Sequence, residues 1–227
     1  MSRIFIITGS SKGIGKAMCK YYLNKGNTVV GCSRGESTIA HINYSHYSIN
    51  VADEAAVAKM VKEVKLQQGK IDVLINNAGT ASMNHLMLTP TKTYDTVMNT
   101  NLKGTFLFSR ECAKAMMKTG GKIINLSSVA VPLALEGEAI YAASKAAIET
   151  LTKIMAKEVA PMNITVNAIG PGPIDTDLLK GVSEEKRQAL LNQLPNKNLG
   201  TIDEVIEKVE YFLNSNKTGE VVYLGGL

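Results

Sequence analysis

Short apolar runs alternate with longer amphipathic stretches along the whole chain. Ile4-Phe5-Ile6-Ile7, Thr28 to Ser33, Ile71 to Ile75, Lys122 to Leu126 and Ile164 to Ile169 are near-continuously apolar, without polar alternation. That is the pattern of parallel strands covered on both faces. Weaker runs at about Tyr47–Ile49 and Glu220–Leu224 add two more strands. Helical spacing fills the gaps: up to about Asn24, from an N-cap at Asp53 to about Leu66, from about Thr93 to Lys118, through Lys145 to Ala160 ahead of Pro161, and from about Ile202 to Asn214. The link from Gly35 to His46 is polar, with room for at most a brief helix. Residues 177–200 predict one or two short helices in a Lys-rich context, a candidate lid. Strands alternating with helices throughout imply an α/β fold, a doubly wound parallel sheet with helices on both faces. We see no repeat, linker or low-complexity segment, so residues 1–227 read as one domain.

Composition narrows the function. Hydrophobic residues at 45% and charged residues at 20% of 227 positions are ordinary globular values. The net charge of +5 comes from Lys and Arg scattered among acids, and there is no Trp. A nucleic-acid binder would gather that charge in a patch and add aromatics to stack on bases. No nucleic-acid partner is expected; an anionic small ligand, or a solvated surface, accounts for the mild basicity. Cys19, Cys32 and Cys112 are an odd set with no C-x-x-C and no His in metal-ligand spacing. They read as plain thiols in a reducing compartment, with no metal site. No segment approaches the roughly eighteen apolar residues of a membrane span, and the opening run is too short for a signal peptide. The expectation is a soluble, cytoplasmic protein with no membrane partner.

Candidate chemistry begins at Thr8-Gly9-Ser10-Ser11-Lys12-Gly13-Ile14-Gly15, between the first strand and the first helix. Free backbone N–H groups and the positive end of a helix dipole make such a turn an anion site. Gly9 permits the tight turn, Gly13 lets a pyrophosphate approach, and Gly15 lets helix and strand pack closely. A P-loop reading fails, because Ser10 replaces the first Gly and Ala17 the Mg²⁺-binding hydroxyl. The second strand ends in Ser33-Arg34, where a dinucleotide fold reads the adenosine ribose. An acid would bind a free 2′-OH; Arg34 with Lys12 suits a 2′-phosphate, hence NADP(H), against the plainer reading of solvated surface cations. Asn50-Val51 closes the third strand, and Asn76-Asn77-Ala78-Gly79 stands at the carboxyl edge of the fourth.

The fifth strand stops at Ser127-Ser128. Thirteen residues after Ser128 comes Tyr141, and four later Lys145, in an Ala-rich helix. That gap puts phenol and ammonium on one face, about 5–6 Å apart at Cβ. The cation is expected to lower the phenol pKa from its usual value near 10. A serine hydroxyl from the strand end can hold a substrate oxygen beside it. The plain alternative is a packed Tyr with a surface Lys. Asn101, inside the 93–118 helix, is a poor helix former unless its side chain is engaged, though it could equally face solvent. Gly170-Pro171-Gly172-Pro173 makes a rigid exposed loop after the sixth strand.

Taken together, Thr8-Gly9-x-x-x-Gly13-Ile14-Gly15, Asn76-Asn77-Ala78-Gly79, Asn101, Ser128, Tyr141-x-x-x-Lys145 and Pro171-Gly172 resemble the short-chain dehydrogenases/reductases over essentially the whole chain. The resemblance implies a Rossmann-like sheet in the order 3-2-1-4-5-6-7 and a tetrad of Asn101, Ser128, Tyr141 and Lys145. In it Ser128 positions the carbonyl oxygen and Tyr141 protonates it. Lys145 lowers the Tyr141 pKa and binds the nicotinamide ribose, and Asn101 holds a water that relays protons. The cofactor contacts it implies run from the turn (Gly9, Ser11, Lys12, Gly13, Ile14, Gly15) through Ser33, Arg34, Asn50 and Val51. They continue with Asn77, Ala78 and Gly79, then Tyr141 and Lys145, then Pro171 and Gly172, with Ile174 and Thr176 at the carboxamide.

Within the family the chain looks most similar to bacterial β-ketoacyl-acyl-carrier-protein reductases, through Val166 to Asp177 and Leu199-Gly200. Asn50 stands where many members have Asp. Lys122 fits one basic carrier-docking position, while Met162 occupies a second. The implied reaction is hydride transfer from NADPH to a 3-oxoacyl-type or related apolar ketone, free or bound to acyl-carrier protein. Oxidation of a sugar, steroid or other secondary alcohol is the rival, and a non-catalytic NADPH sensor would be expected to lack a tetrad member. Val129, Val131, Leu133, Met83, Leu178 and Leu179 are the expected apolar pocket. Family likeness also implies a homo-oligomer, dimer or tetramer.

Overall fold

A computed structural model describes residues 2–175, 184–194 and 196–227. Among them seven strands form one sheet: β1 (Ile4–Thr8), β2 (Thr28–Ser33), β3 (Tyr44–Ser48), β4 (Val73–Asn76), β5 (Gly121–Leu126), β6 (Ile164–Gly170) and β7 (Val221–Tyr223). The order is β3-β2-β1-β4-β5-β6-β7 and every pairing is parallel. The helices are α1 (Gly13–Asn24), α2 (Glu54–Gln68), α3 (Thr91–Met98), α4 (Gly104–Met116), α5 (Ala130–Leu133), α6 (Ala139–Val159), α7 (Glu184–Gln193) and α8 (Ile202–Leu213). No helix among the described residues is long and apolar enough to cross a membrane.

The strands bury both faces because successive side chains point to opposite sides. Ile4, Ile6, Val30, Leu74, Ile123 and Val166 pack under α2, α4 and α6. Phe5, Ile7, Val29, Ile75, Ile124 and Ile169 pack under α1 and α8. The three cysteines are buried free thiols. One polar layer interrupts the first face. Asn76 Nδ2 donates to Ser109 Oγ and to Asn125 Oδ1, both at 2.8 Å, and Asn125 Nδ2 donates to Thr152 Oγ1 at 2.8 Å. This ladder joins β4 and β5 to α4 and α6.

Several elements depart from the sequence reading. The third strand begins at Tyr44, three residues before its expected start at Tyr47, because as an edge strand it pairs only with β2 and needs no aliphatic run. Between Gly35 and Asn43 no helix forms, in keeping with the expectation of a brief one at most. The expected helix over 93–118 is divided by a π turn at Asn99–Lys103. Of the proposed lid over 177–200, α7 lies within the described residues, while 177–183 and Pro195 lie outside them. Asp53 does cap α2, its carboxylate accepting from Ala56 N at 3.1 Å.

Candidate active site

The carboxyl ends of β1, β2, β4, β5 and β6 open onto one cavity of about 610 Å³. Its first wall is the glycine turn. Gly9 and Gly13 have φ of 69° and 54°, the left-handed region that a side chain resists. Ser11, Lys12, Gly13 and Ile14 border the cavity with Gly9. Gly15 lies behind it: a Cβ there would stand 2.3 Å from the Gly9 carbonyl oxygen and 2.4 Å from Asn77 Nδ2. Asn77 holds the turn, its Nδ2 donating to Thr8 O at 2.9 Å and Gly9 O at 3.2 Å. Thr8 Oγ1 in return accepts from the backbone N–H groups of Asn77 and Ala78, at 3.0 and 2.9 Å.

Ser33, Arg34 and Gly35 border the cavity beyond β2, and Asn50, Val51, Asn77, Ala78 and Gly79 border it as well. The sequence reading missed His46. Its Nε2 lies 3.1 Å from Ser33 Oγ and 2.9 Å from Gly35 O, and its Nδ1 lies 3.1 Å from the Tyr44 hydroxyl. Tyr44 and His46 sit two apart on β3, the strand period that puts both on one face; once β3 is placed correctly, that spacing is the signal. Asn50 Oδ1 is occupied by a local turn, accepting from Ala52 N at 3.0 Å.

At the end of β5 the structure brings together Ser128, Tyr141 and Lys145, all buried. The Ser128 hydroxyl lies near enough to the Tyr141 phenol to favour its charged form. Lys145 Nζ lies 5.7 Å from the centroid of the Tyr141 ring and donates to Leu126 O at 2.7 Å. Asn101 is fully buried in the π turn. Its Oδ1 accepts from Thr80 N at 2.8 Å, and its Nδ2 donates to Thr80 O at 3.0 Å and Ser144 Oγ at 2.9 Å. That amide is engaged, which is why it tolerates a helix interior. Gly79 completes the group: a Cβ on it would lie 3.5 Å from Asn101 Oδ1 and 3.6 Å from Lys145 Nζ.

The electrostatics run against the sequence argument. Burial pushes the Tyr141 phenol up to about 12, with the nearby Ser128 hydroxyl opposing the rise and Glu138 adding to it. Burial also pulls the Lys145 ammonium down to about 8. The expected depression of the phenol by Lys145 is therefore absent from this arrangement. The amine is turned to the Leu126 carbonyl, and desolvation of the phenolate outweighs a cation at that range.

Pro171, Gly172 and Ile174 border the cavity, whereas Thr176 falls outside the described residues. Of the expected apolar pocket, Met83 and Val129 border it, joined by Leu135 and Glu138, which the sequence did not single out. Val131 faces a neighbouring cavity instead, Leu133 borders neither, and Leu178 and Leu179 are not described. Lys122 and Met162 sit at the amino ends of β5 and β6, on the opposite edge from the cavity. Lys122 Nζ donates to Ser215 O at 2.6 Å. The carrier-docking role suggested for Lys122 does not survive this placement.

Comparison with known proteins bears on this geometry. A family model described as short chain dehydrogenase matches residues 3–187. The 3-oxoacyl-[acyl-carrier-protein] reductase of Staphylococcus aureus (strain Mu50) is 35% identical over 241 residues, covering 100% of this chain and 98% of its own. Among solved structures, the ligand-free aldohexose dehydrogenase of Thermoplasma acidophilum superposes with a TM-score of 0.91 at 28% identity, covering 100% of this chain and 94% of that one. ElxO with NADP bound gives a TM-score of 0.90 at 30% identity, covering 99% and 97%.

Proposed function

The chain belongs to the short-chain dehydrogenase family, and from that footing we propose that it reduces a ketone to a secondary alcohol with NADPH. One observation carries the reading. The Tyr141 phenol and Ser128 border the same cavity as Lys12, Ser33 and Arg34. Three strand spacings separate β2 from β5, about 14 Å, which suits an extended dinucleotide.

The residues present fit that cofactor. The cavity falls within the usual range for small-molecule sites, about 300–1,000 Å³. Gly13 and Ile14, whose first-turn amides have no intrahelical acceptor, border it. Lys12, Ser33 and Arg34 would hold the 2′-phosphate, the glycine turn the pyrophosphate, and Asn50 and Val51 the adenine. Lys145 would hold the nicotinamide ribose, with Ile174 and Thr176 at the carboxamide. When bound, NADPH supplies the hydride that reduces the carbonyl carbon. Ser128 and Tyr141 donate hydrogen bonds to the carbonyl oxygen, and Tyr141 passes its proton to that oxygen as negative charge develops. A phenol raised to about 12 rests protonated at neutral pH, the state that reduction requires; oxidation of an alcohol would need the phenolate. Asn101 sets the π turn beside Lys145 and the route by which the phenol regains its proton.

The curated relative acts on 3-oxoacyl groups and the site includes Met83, Val129 and Leu135, so a 3-oxoacyl-type ketone is the proposed substrate. The likeness to an aldohexose dehydrogenase makes sugars and other secondary alcohols the arm to test against it. The experiment is a panel of 3-oxoacyl thioesters, simple ketones and alcohols, followed by NADPH absorbance in both directions. Tyr141→Phe is expected to lower turnover by at least about 100-fold while NADPH still binds. Substantial residual activity would remove Tyr141 as the proton donor.

A further inference from the structure

Tyr141, Lys145 and Glu149 stand four residues apart on α6, one face of one helix. Each reaches a different residue at the end of β5. Tyr141 lies beside Ser128, whose hydroxyl favours the phenolate, and Lys145 Nζ donates to Leu126 O. Between them Ser127 Oγ donates to Glu149 Oε1 at 2.5 Å. Three successive residues, 126 to 128, thus meet three successive turns of α6, two of them through hydrogen bonds.

Glu149 also reaches further. Its Oε2 accepts from the Tyr223 hydroxyl of β7 at 2.9 Å. The Tyr223 ring lies against Gly170, where a Cβ would stand 2.4 Å from Tyr223 Cδ1. Gly170 leads into Pro171 and Gly172, which border the cavity. The backbone closes the same circuit: Ser127 N donates to Ile169 O at 2.7 Å and Val129 N to Pro171 O at 3.1 Å. A carboxylate only 8% exposed therefore accepts hydroxyls from two strands, directly behind the serine that holds the substrate oxygen. Charge-assisted bonds of this kind are short and directional.

We propose that Glu149 is a positioning residue for the reductase reaction. Through Ser127 and Tyr223 it fixes the Ser128 hydroxyl and the Gly170–Gly172 loop against α6, and so keeps Ser128 and Tyr141 in register. The proposal rests on the reductase reading above. Glutamine keeps the shape of Glu149 and one acceptor, whereas leucine removes both bonds, one to the buried Ser127 hydroxyl and one to the half-buried Tyr223 hydroxyl.

The test compares wild type with Glu149→Gln, Glu149→Leu, Ser127→Ala and the Ser127→Ala/Glu149→Gln double variant, measuring kcat on a 3-oxo ester, the KM for NADPH, and Tm. Misplacement of reacting groups by about 1 Å can cost about 100-fold, so kcat is expected to fall about 100-fold in Glu149→Leu. A fall of about tenfold is expected in Glu149→Gln and in Ser127→Ala, with the double variant no worse than the poorer single one, as for partners in one interaction. The KM for NADPH should stay within about twofold. Folded single variants with wild-type kcat, or fully additive losses, overturn the proposal. Should Glu149→Leu fail to fold, Glu149→Gln and Ser127→Ala carry the test. If wild type turns over nothing on the panel, the reductase reading fails by itself. Crystal structures of wild type and Ser127→Ala then decide: the Ser128 Oγ to Tyr141 Oη separation should lengthen, and an unchanged separation overturns the proposal.

Discussion

Replacing Lys145 by Met should leave the protein more stable at neutral pH even as it destroys the site. Lys145 is 5% exposed and its ammonium is pulled from 10.5 to about 8 by burial. At 1.36 kcal/mol per pKa unit, the charged form carries a penalty of about 3 kcal/mol at pH 7. Methionine removes that penalty at similar volume. Against it stands the bond to Leu126 O at 2.7 Å; a buried carbonyl left unpaired costs about 1–3 kcal/mol. The net gain at pH 7 is about 0–2 kcal/mol. The pH dependence is the sharper mark. Between pH 8 and 10.5 the unfolded chain holds a proton on Lys145 that the folded chain lacks, so wild-type stability rises with pH. The advantage of the variant should therefore shrink by about 1.4 kcal/mol per pH unit across that window, and reverse well before its top. Below pH 7 this residue contributes no further change. The chain has no Trp, so urea unfolding is best followed by circular dichroism at pH 7, 8.5 and 10. A difference between the proteins that stays flat over that range, or grows with pH, refutes a charge strained by burial.

Two further outcomes follow from the cavity walls. Gly15→Ala puts a methyl group 2.3 Å from the Gly9 carbonyl oxygen, so it should cost about 1–3 kcal/mol of stability and weaken NADPH binding; a variant with wild-type melting and NADPH titration would contradict the packing described. Removing the cations by Lys12→Ala and Arg34→Ala should raise the KM for NADPH about tenfold or more, at about 1.5–3 kcal/mol per charged hydrogen bond, and change that for NADH far less. Equal effects on both cofactors would discard the phosphate-reading role.

The parallel sheet and the glycine turn were legible because their cues are local: unbroken aliphatic strands, and glycines where the backbone must turn or touch. β3 was displaced because Tyr44-Ser-His46-Tyr-Ser48 carries little aliphatic signal and owes its place to pairing with β2. The π turn at Asn99–Lys103 leaves no trace in composition, although Asn101 marked the spot as a poor helix former. The direction in which Lys145 points depends on a carbonyl nineteen residues away, and the pKa values of Lys145 and Tyr141 depend on how deeply both are covered. Neither is visible in a four-residue spacing. Glu149 could have been found, since an acid two turns beyond Tyr141 continues the face that buries Lys145.

The row of polar side chains from Asn76 through Asn125 to Thr152 bears on how such a molecule can change over time. Greasy surfaces slide and re-seat, but mated donors and acceptors tolerate one alignment. Exchanging Asn125 alone for leucine would leave Asn76 and Thr152 each short of one buried bond, so this layer is best rewritten as a set or left untouched. Segments above it are free to drift toward new substrates while the foundation stays fixed.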